Sequence, residues 1–213
     1  MSIDSKILQI KNTIPDSVEL IAVSKKRSVN EILKAYTAGQ RLFGENNALE
    51  LKDKYQNLPN DIKWHMIGHL QSNKVKYIAP FVSLIHSIDS IKLLTEVNKR
   101  AEQNNRIIDC LLQIHIATET TKYGLQPNQV NEILAISKKL ENINITGFMG
   151  MASYTKNKKQ INNEFSQLRK IFNNYKNNNI HQLSMGMSSD YKIAIENGSN
   201  LVRIGSDIFG KHQ

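Results

Sequence analysis

The sequence predicts an α/β fold: eight parallel strands, each followed by a helix, closed into a single (β/α)8 barrel with one domain spanning residues 1–213. Short apolar runs alternate with amphipathic segments from one end of the chain to the other. The apolar runs are continuous, as in strands buried on both faces of a parallel sheet. Eight such units fit in 213 residues, close to the ~200–250 residues of a small barrel. No Pro/Gly-rich linker divides the chain. An open, doubly wound sheet is the other arrangement the pattern allows.

The first strand is expected over 19–25, ending in Val23-Ser24-Lys25. Ser28 and Glu31 form a capping box that opens a helix with Val29, Ile32, Leu33 and Tyr36 on one face, and Gly39 suits its end. A strand over 41–46 precedes a helix over 47–55. A third strand over 63–68 leads to a helix that opens at Ser72 and presents Val75, Ile78 and Ala79. The fourth strand, 84–89, is followed by a helix through Leu93, Leu94, Val97 and Ala101. The fifth, 109–117, is followed by a helix starting near Pro127, which suits a first helical position. The sixth, 145–152, precedes a helix through Phe165, Leu168 and Phe172, with 156–163 read as a mobile polar loop between them. The seventh, 181–187, runs into a helix from Ser189 to about Asn197 that Gly198 ends, and the eighth spans 201–206.

Composition excludes several classes. Hydrophobic residues make up 40% of the chain, which is enough for a core and too many for disorder. The one cysteine, Cys110, lies in an apolar run and reads as a core residue. No internal disulfide can form, which points to a reducing, cytoplasmic compartment. The first residues carry no apolar leader segment, and no run reaches the ~20 apolar residues of a membrane helix. The formal net charge is +9, but the lysines are dispersed and often neighbour asparagines, as in Lys156-Asn157-Lys158-Lys159. That is a solvated surface with weak, unspecific attraction for polyanions; no specific nucleic-acid site is expected.

A parallel barrel carries its chemistry at the carboxyl ends of its strands, where polar and glycine residues collect here. Lys25 directly follows an apolar strand. An amine at the mouth of an apolar barrel is biased toward the neutral, nucleophilic form that attacks an aldehyde; a lysine snorkelling to solvent is the bland alternative. The segment Gly186-Met187-Ser188-Ser189-Asp190 turns from strand to helix and can offer an anion free N–H groups and hydroxyls, or can simply be an N-cap by Ser188 or Ser189. Arg203-Ile204-Gly205-Ser206 ends the last strand, and the loops after strands seven and eight are a common phosphate position in barrels. Arg203 and Gly205 share a face; if that face is the inner one, the guanidinium needs an acceptor, either a ligand or a buried partner such as Glu45 or Asp89. His65 can be an acid/base group or a hydrogen-bonded strand residue. None of His65, His69, His86 and His115 shows metal-ligand spacing, so no metal is expected.

Six strings run in an order that identifies a family. Ala22-Val23-Ser24-Lys25, Phe43-Gly44-Glu45-Asn46, the run from Trp64 to Lys74, Thr121-Lys122-Tyr123-Gly124, the run from Leu183 to Ser188, and the run from Val202 to Gly210 resemble the pyridoxal-phosphate homeostasis proteins. These are single-domain barrels similar to the N-terminal domain of alanine racemase. The resemblance implies pyridoxal 5′-phosphate as cofactor, held as a Schiff base on Lys25. It implies Asn46 beside the cofactor, Ser188, Gly205 and Ser206 on its phosphate, and Ser184, Met185 and Met187 as supporting wall. It implies that Arg203 faces the pyridine nitrogen. Asn47 departs from the aromatic residue frequent after the second string, and Ser206 from a frequent threonine. The expected role is storage, carriage or buffering of the cofactor, with apo-enzymes as recipients, no dedicated turnover and a monomeric state. The alternative is a racemase-like enzyme, for which His65 is the nearest second base; Lys122 is left without a role.

Overall fold

The computed structural model describes residues 2–210. Eight strands form it: β1 (Glu19–Val23), β2 (Leu42–Glu45), β3 (Lys63–Met66), β4 (Leu84–Ile88), β5 (Ile108–Gln113), β6 (Ile143–Met149), β7 (Gln182–Ser184) and β8 (Leu201–Ile204). All pair in parallel with their sequence neighbours, and β1 closes on β8, with Glu19 opposite Leu201 and Ala22 opposite Ile204. The closed eight-stranded barrel is therefore present, in chain order, and the open sheet is excluded.

Helices follow the strands: α2 (Val29–Thr37), α3 (Ala48–Asn57), α4 (Val75–Ile78), α5 (Ile91–Gln103), α6 (Val130–Ser137), α7 (Lys158–Tyr175), α8 (Tyr191–Glu196) and a final turn, α9 (Ser206–Phe209), with α1 (Ile3–Lys11) ahead of β1. The Ser28–Glu31 capping box forms as expected, and Gly39 and Gly198 leave their helices with φ near +84°. Pro127 opens a short 3-10 turn before α6. No helix among the described residues is long and apolar enough to cross a membrane.

Three expectations need correction. Strands end earlier than their apolar runs: β5 stops at Gln113, β6 at Met149 and β7 at Ser184. The residues beyond them lie in loops and bends, with a single isolated bridge between Ile114 and Leu125. The stretch 156–163 is mostly not loop. Asn157 accepts from the backbone N–H of Gln160, and α7 starts at Lys158 with Ile161 buried and the lysines on the wet face. The helix α1 was not expected, although Ile3, Ile7 and Ile10 mark its inner face and the last two are buried.

The core has two parts. A large one fills the layer between strands and helices and contains Phe43, Trp64, Phe148, Phe165 and Phe172, as well as Cys110. A small one consists of Ile21, Leu84, Leu111, Met149 and Leu201, all on strands, which plug the barrel lumen. Along β8, Leu201, Arg203 and Gly205 succeed one another on the lumen face, from the plug up to the rim.

Strand β6 approaches β7 closely at Gly147, where an added Cβ would lie 1.8 Å from the Gln182 carbonyl oxygen. Gly147→Ala is expected to destabilise the barrel by about 3 kcal/mol. Denaturant unfolding checks this; a midpoint equal to that of the parent would show that the strands can separate there.

Candidate functional site

The rim of the barrel is assembled from both ends of the chain. Because β1 pairs with β8, the turn after β8 lies against the end of β1: a Cβ on Gly205 would come within 3.3 Å of Val23 Cβ and of the Val23 carbonyl oxygen. Lys25 is two residues beyond Val23, half-buried, in the turn that leaves β1. That contact makes the amine-bearing turn a neighbour of Gly205 and Ser206.

The β7 turn completes this side. Gly186 has φ +89°, and a side chain there would run into Ala194 and Tyr191. Asp190 Oδ1 accepts from the Met187 N–H at 2.6 Å and closes the turn. Asp190, not Ser188 or Ser189, is the N-cap residue of α8, so the capping alternative for those serines does not hold. Ser188 instead reaches across to β8, where its hydroxyl accepts from the Gly205 N–H at 3.3 Å. The Ser206 hydroxyl is beside Asp207, 3.4 Å away. Two hydroxyls and one backbone N–H thus meet at the junction of two loops, with the N–H bonded to Ser188 and the Ser206 hydroxyl donated to Asp207.

The other named residues separate. Asn46 is exposed at the end of β2, pressed against Gly68, where an added Cβ would be 2.5 Å from the Asn46 carbonyl oxygen. Met187 is partly exposed on the rim. Met185 is buried in the helix-facing core, so its side chain points away from the lumen. Ser184 is buried inside.

Below the rim is a polar chain. Arg203, only 3% exposed, donates to the Ser184 hydroxyl through one terminal nitrogen and to the Gly150 carbonyl through the other, at 3.1 Å. Neither Glu45 nor Asp89 is its partner: Glu45 pairs with Lys54 at 2.7 Å and Asp89 with His69 at 3.1 Å. Burial draws Arg203 down to about 10, with Asp190 opposing, so it stays cationic at neutral pH. Ser184 Oγ lies 3.0 Å from His86 Nδ1, and His86 Nε2 lies 3.0 Å from His65 Nδ1. Arginine only donates. Ser184 therefore accepts from Arg203, and two further hydrogen bonds continue the chain from its hydroxyl through His86 to His65. Both imidazoles are neutral. Burial, with Lys63 nearby, holds His65 down to about 3, and burial with the charges of His65 and Arg203 holds His86 well below its ordinary range. His65 is thus a hydrogen-bonded interior residue.

A second buried system lies beneath the β1 turn. Glu45 accepts from Ser24 Oγ at 2.6 Å as well as from Lys54. Burial raises the Glu45 carboxyl and the Lys54 ammonium pulls it back. Over the far rim, Lys122 donates to the Ala152 carbonyl at 2.6 Å and pairs with Glu119 at 3.2 Å, while Tyr123 stacks on His69 with ring centroids 3.7 Å apart. No group of three or more metal-binding side chains occurs among the described residues.

Sequence reading missed His86 and Lys54. His86 has one available cue, its period-two spacing from the apolar Leu84 on the same strand. Lys54 has another, a lysine on the helical face that also carries Ala48 and Leu51.

Comparison with known proteins agrees with the geometry. The family description "Alanine racemase, N-terminal domain" matches residues 2–213. The chain is 37% identical over 199 residues to the pyridoxal phosphate homeostasis protein of Aquifex aeolicus, covering 92% of this chain and 87% of that one. To its counterpart in Helicobacter pylori it is 39% identical over 195 residues, covering 90% and 87%. Among solved structures, PipY of Synechococcus elongatus without PLP superposes with a TM-score of 0.92 at 32% identity, covering 98% of this chain and 100% of that one. The same protein with PLP bound superposes at 0.89 with the same coverage. An alanine racemase of Clostridium difficile shares the fold, at 14% identity and a TM-score of 0.79 over 99% of this chain and 56% of its own.

The neutral histidine pair predicts a pH-dependent stability. Each imidazole binds a proton near 6.5 when unfolded and only far lower when folded, so stability is complete above pH 6.5 and declines as pH falls toward the folded values. The unfolding free energy is expected to drop by about 0.7 kcal/mol per pH unit for each histidine at pH 6.5, steepening to about 1.4 kcal/mol per unit near pH 5. Denaturant melts at stepped pH measure the slope, and His86→Asn is expected to flatten it by about half. An unaltered slope in that variant would assign the titration elsewhere.

Proposed function

This chain belongs to the alanine racemase N-terminal domain family and, within it, to the pyridoxal phosphate homeostasis proteins, and from that premise we propose that it binds pyridoxal 5′-phosphate through Lys25 and stores, carries or buffers it. The observation that carries the proposal is the contact of Val23 with Gly205, which sets the Lys25 turn beside the Ser188–Gly205–Ser206 donors. Its relative PipY, 32% identical, has been solved with PLP bound.

When bound, the cofactor supplies an aldehyde that condenses with a primary amine, carried on a ring that also bears a phosphate. The donor set fits such a group. Ser188 and Ser206 bring two hydroxyls to the turn at Gly205, and the Ser188 hydroxyl, which accepts from the Gly205 N–H, keeps its own proton to donate to an anion. Lys25 offers the amine, while Asn46 follows β2 and Met187 follows β7 at the same carboxyl-end rim. Arg203, held from below by Ser184 and Gly150, offers a cationic donor to the ring nitrogen.

Arg203 gives this site its character. A guanidinium donates a hydrogen bond without giving up its proton, so a ring nitrogen held opposite Arg203 would accept and stay unprotonated. An unprotonated ring withdraws electrons weakly and supports little carbanion chemistry. Two-base racemisation also needs a second proton-transfer group on the far face of a substrate. His65, the nearest candidate, has its Nδ1 committed to His86 inside the lumen. The reading is therefore a cytoplasmic, monomeric carrier that sequesters a reactive aldehyde and releases it to apo-enzymes, rather than a racemase.

Protein purified gently is expected to absorb in the visible, and borohydride reduction is expected to fix the cofactor mass on the peptide containing Lys25. Lys25→Ala is expected to abolish both; a covalent cofactor on another lysine in that variant would overturn the assignment. Ser188→Ala is expected to weaken equilibrium binding by about tenfold, the loss of one hydrogen bond to a charged group. Solvent deuterium entering the α-carbon of common amino acids would favour the racemase instead.

A further inference from the structure

Lys54 and Glu50 sit on α3, behind the turn that carries Lys25. The Lys54 ammonium is buried and fully used: its three protons have three acceptors, the Ser24 carbonyl oxygen at 2.6 Å, Glu45 Oε1 at 2.7 Å and Glu50 Oε1 at 2.7 Å. The same Glu50 oxygen accepts from the Lys26 backbone N–H at 2.5 Å.

These contacts fall on particular atoms. The Ser24 carbonyl belongs to the peptide group that enters Lys25, and the Lys26 N–H belongs to the peptide group that leaves it. Each peptide group is planar and rigid, so fixing its orientation fixes one of the two dihedrals of the residue between them. One ammonium and one carboxylate, bonded to each other, thus hold both planes that flank the Lys25 Cα. Lys26 has φ +57°, a left-handed conformation disfavoured for an L side chain, and its N–H is the group Glu50 grips. Ser24 is further held by its own N–H to the Gly44 carbonyl and its hydroxyl to Glu45.

We propose that Lys54 and Glu50 are positioning residues for Lys25: their buried ion cluster sets the backbone dihedrals of that residue and so the direction in which its amine leaves the barrel wall. The inference rests on Lys25 being the cofactor lysine. The cluster touches neither the Ser188–Gly205–Ser206 donors nor Arg203, so it acts on covalent attachment and leaves anion binding alone.

Two ligands separate these steps. Pyridoxal 5′-phosphate reports covalent loading, read as the rate at which a borohydride-fixable mass appears on Lys25. Pyridoxine 5′-phosphate has no aldehyde and reports non-covalent binding. In Glu50→Ala, loading is expected to slow by about tenfold, the scale of a misdirected reacting group, with the affinity for pyridoxine 5′-phosphate unchanged. Glu50→Gln keeps an oxygen for the Lys26 N–H and is expected to recover most of the rate. Lys54→Met is expected to behave as Glu50→Ala; Glu50 is half-exposed, so its variants test the idea even where Lys54→Met does not fold. Loading at the parent rate in folded Glu50→Ala overturns the proposal. So does a parallel loss of both ligands, which would mark a merely structural cluster. A parent chain that takes no cofactor on Lys25 would sink the functional reading and this inference with it, whereas normal parent loading with indifferent variants would sink the clamp alone.

Discussion

Closure of β1 on β8 is the constraint from which the rest of the molecule follows. The four paired positions from Glu19–Leu201 to Ala22–Ile204 join the first strand to the last. Without that ladder the sheet would have two edges, and Lys25 would be remote from Gly205 and Ser206. With it, a turn from the start of the chain and two turns from its end share one stretch of rim. Gly205 is the joint: its lack of a side chain lets the last turn rest on Val23.

One buried polar network lies in the lumen above the aliphatic plug and the other between the strands and α3, and the two solve the burial problem differently. Around Arg203 there is one charge, satisfied by a hydroxyl and a carbonyl, and the histidines beyond it are neutral. Burying that single cation is tolerable because both of its terminal nitrogens have acceptors. Around Lys54 the solution is ionic, with one ammonium between two carboxylates and a carbonyl. Such a cluster is poor as a source of stability, since desolvation offsets much of its attraction. Its directional bonds nevertheless hold backbone groups that packing alone would leave free to turn.

The division of labour matches that of parallel barrels in general. Side chains at the bottom and on the outer face of the strands pack, and those at the carboxyl ends meet ligands. The family resemblance extends this chain's kinship to alanine racemases at the level of fold, where it spans 56% of the Clostridium difficile enzyme. Chemistry depends on the rim and on what stands beneath it, here a guanidinium fixed from below.

Much of this was legible in the residues. Continuous apolar runs with helical segments between them determined the strand–helix alternation, and eight units in this length favoured a closed barrel over the open sheet that the pattern also allowed. The strings around Lys25 and from Ser184 to Ser206 placed the candidate site and the family. Periodicity overran the strand ends, because a residue such as His115 or Ile116 stays apolar-flanked after the chain has left the ladder. Polarity misread 156–163, because a helix with one wet face looks like a loop until Ile161 and Phe165 are seen on the same inner stripe. The sequence by itself determined which groups exist: one lysine at a strand end, a guanidinium two residues before a glycine, hydroxyls after strands seven and eight. Only the tertiary structure decided their partners. Pairings such as Arg203 with Ser184, His86 with His65 and Lys54 with Ser24 join different strands and helices, and a contact across a closed barrel leaves no periodic trace along the chain.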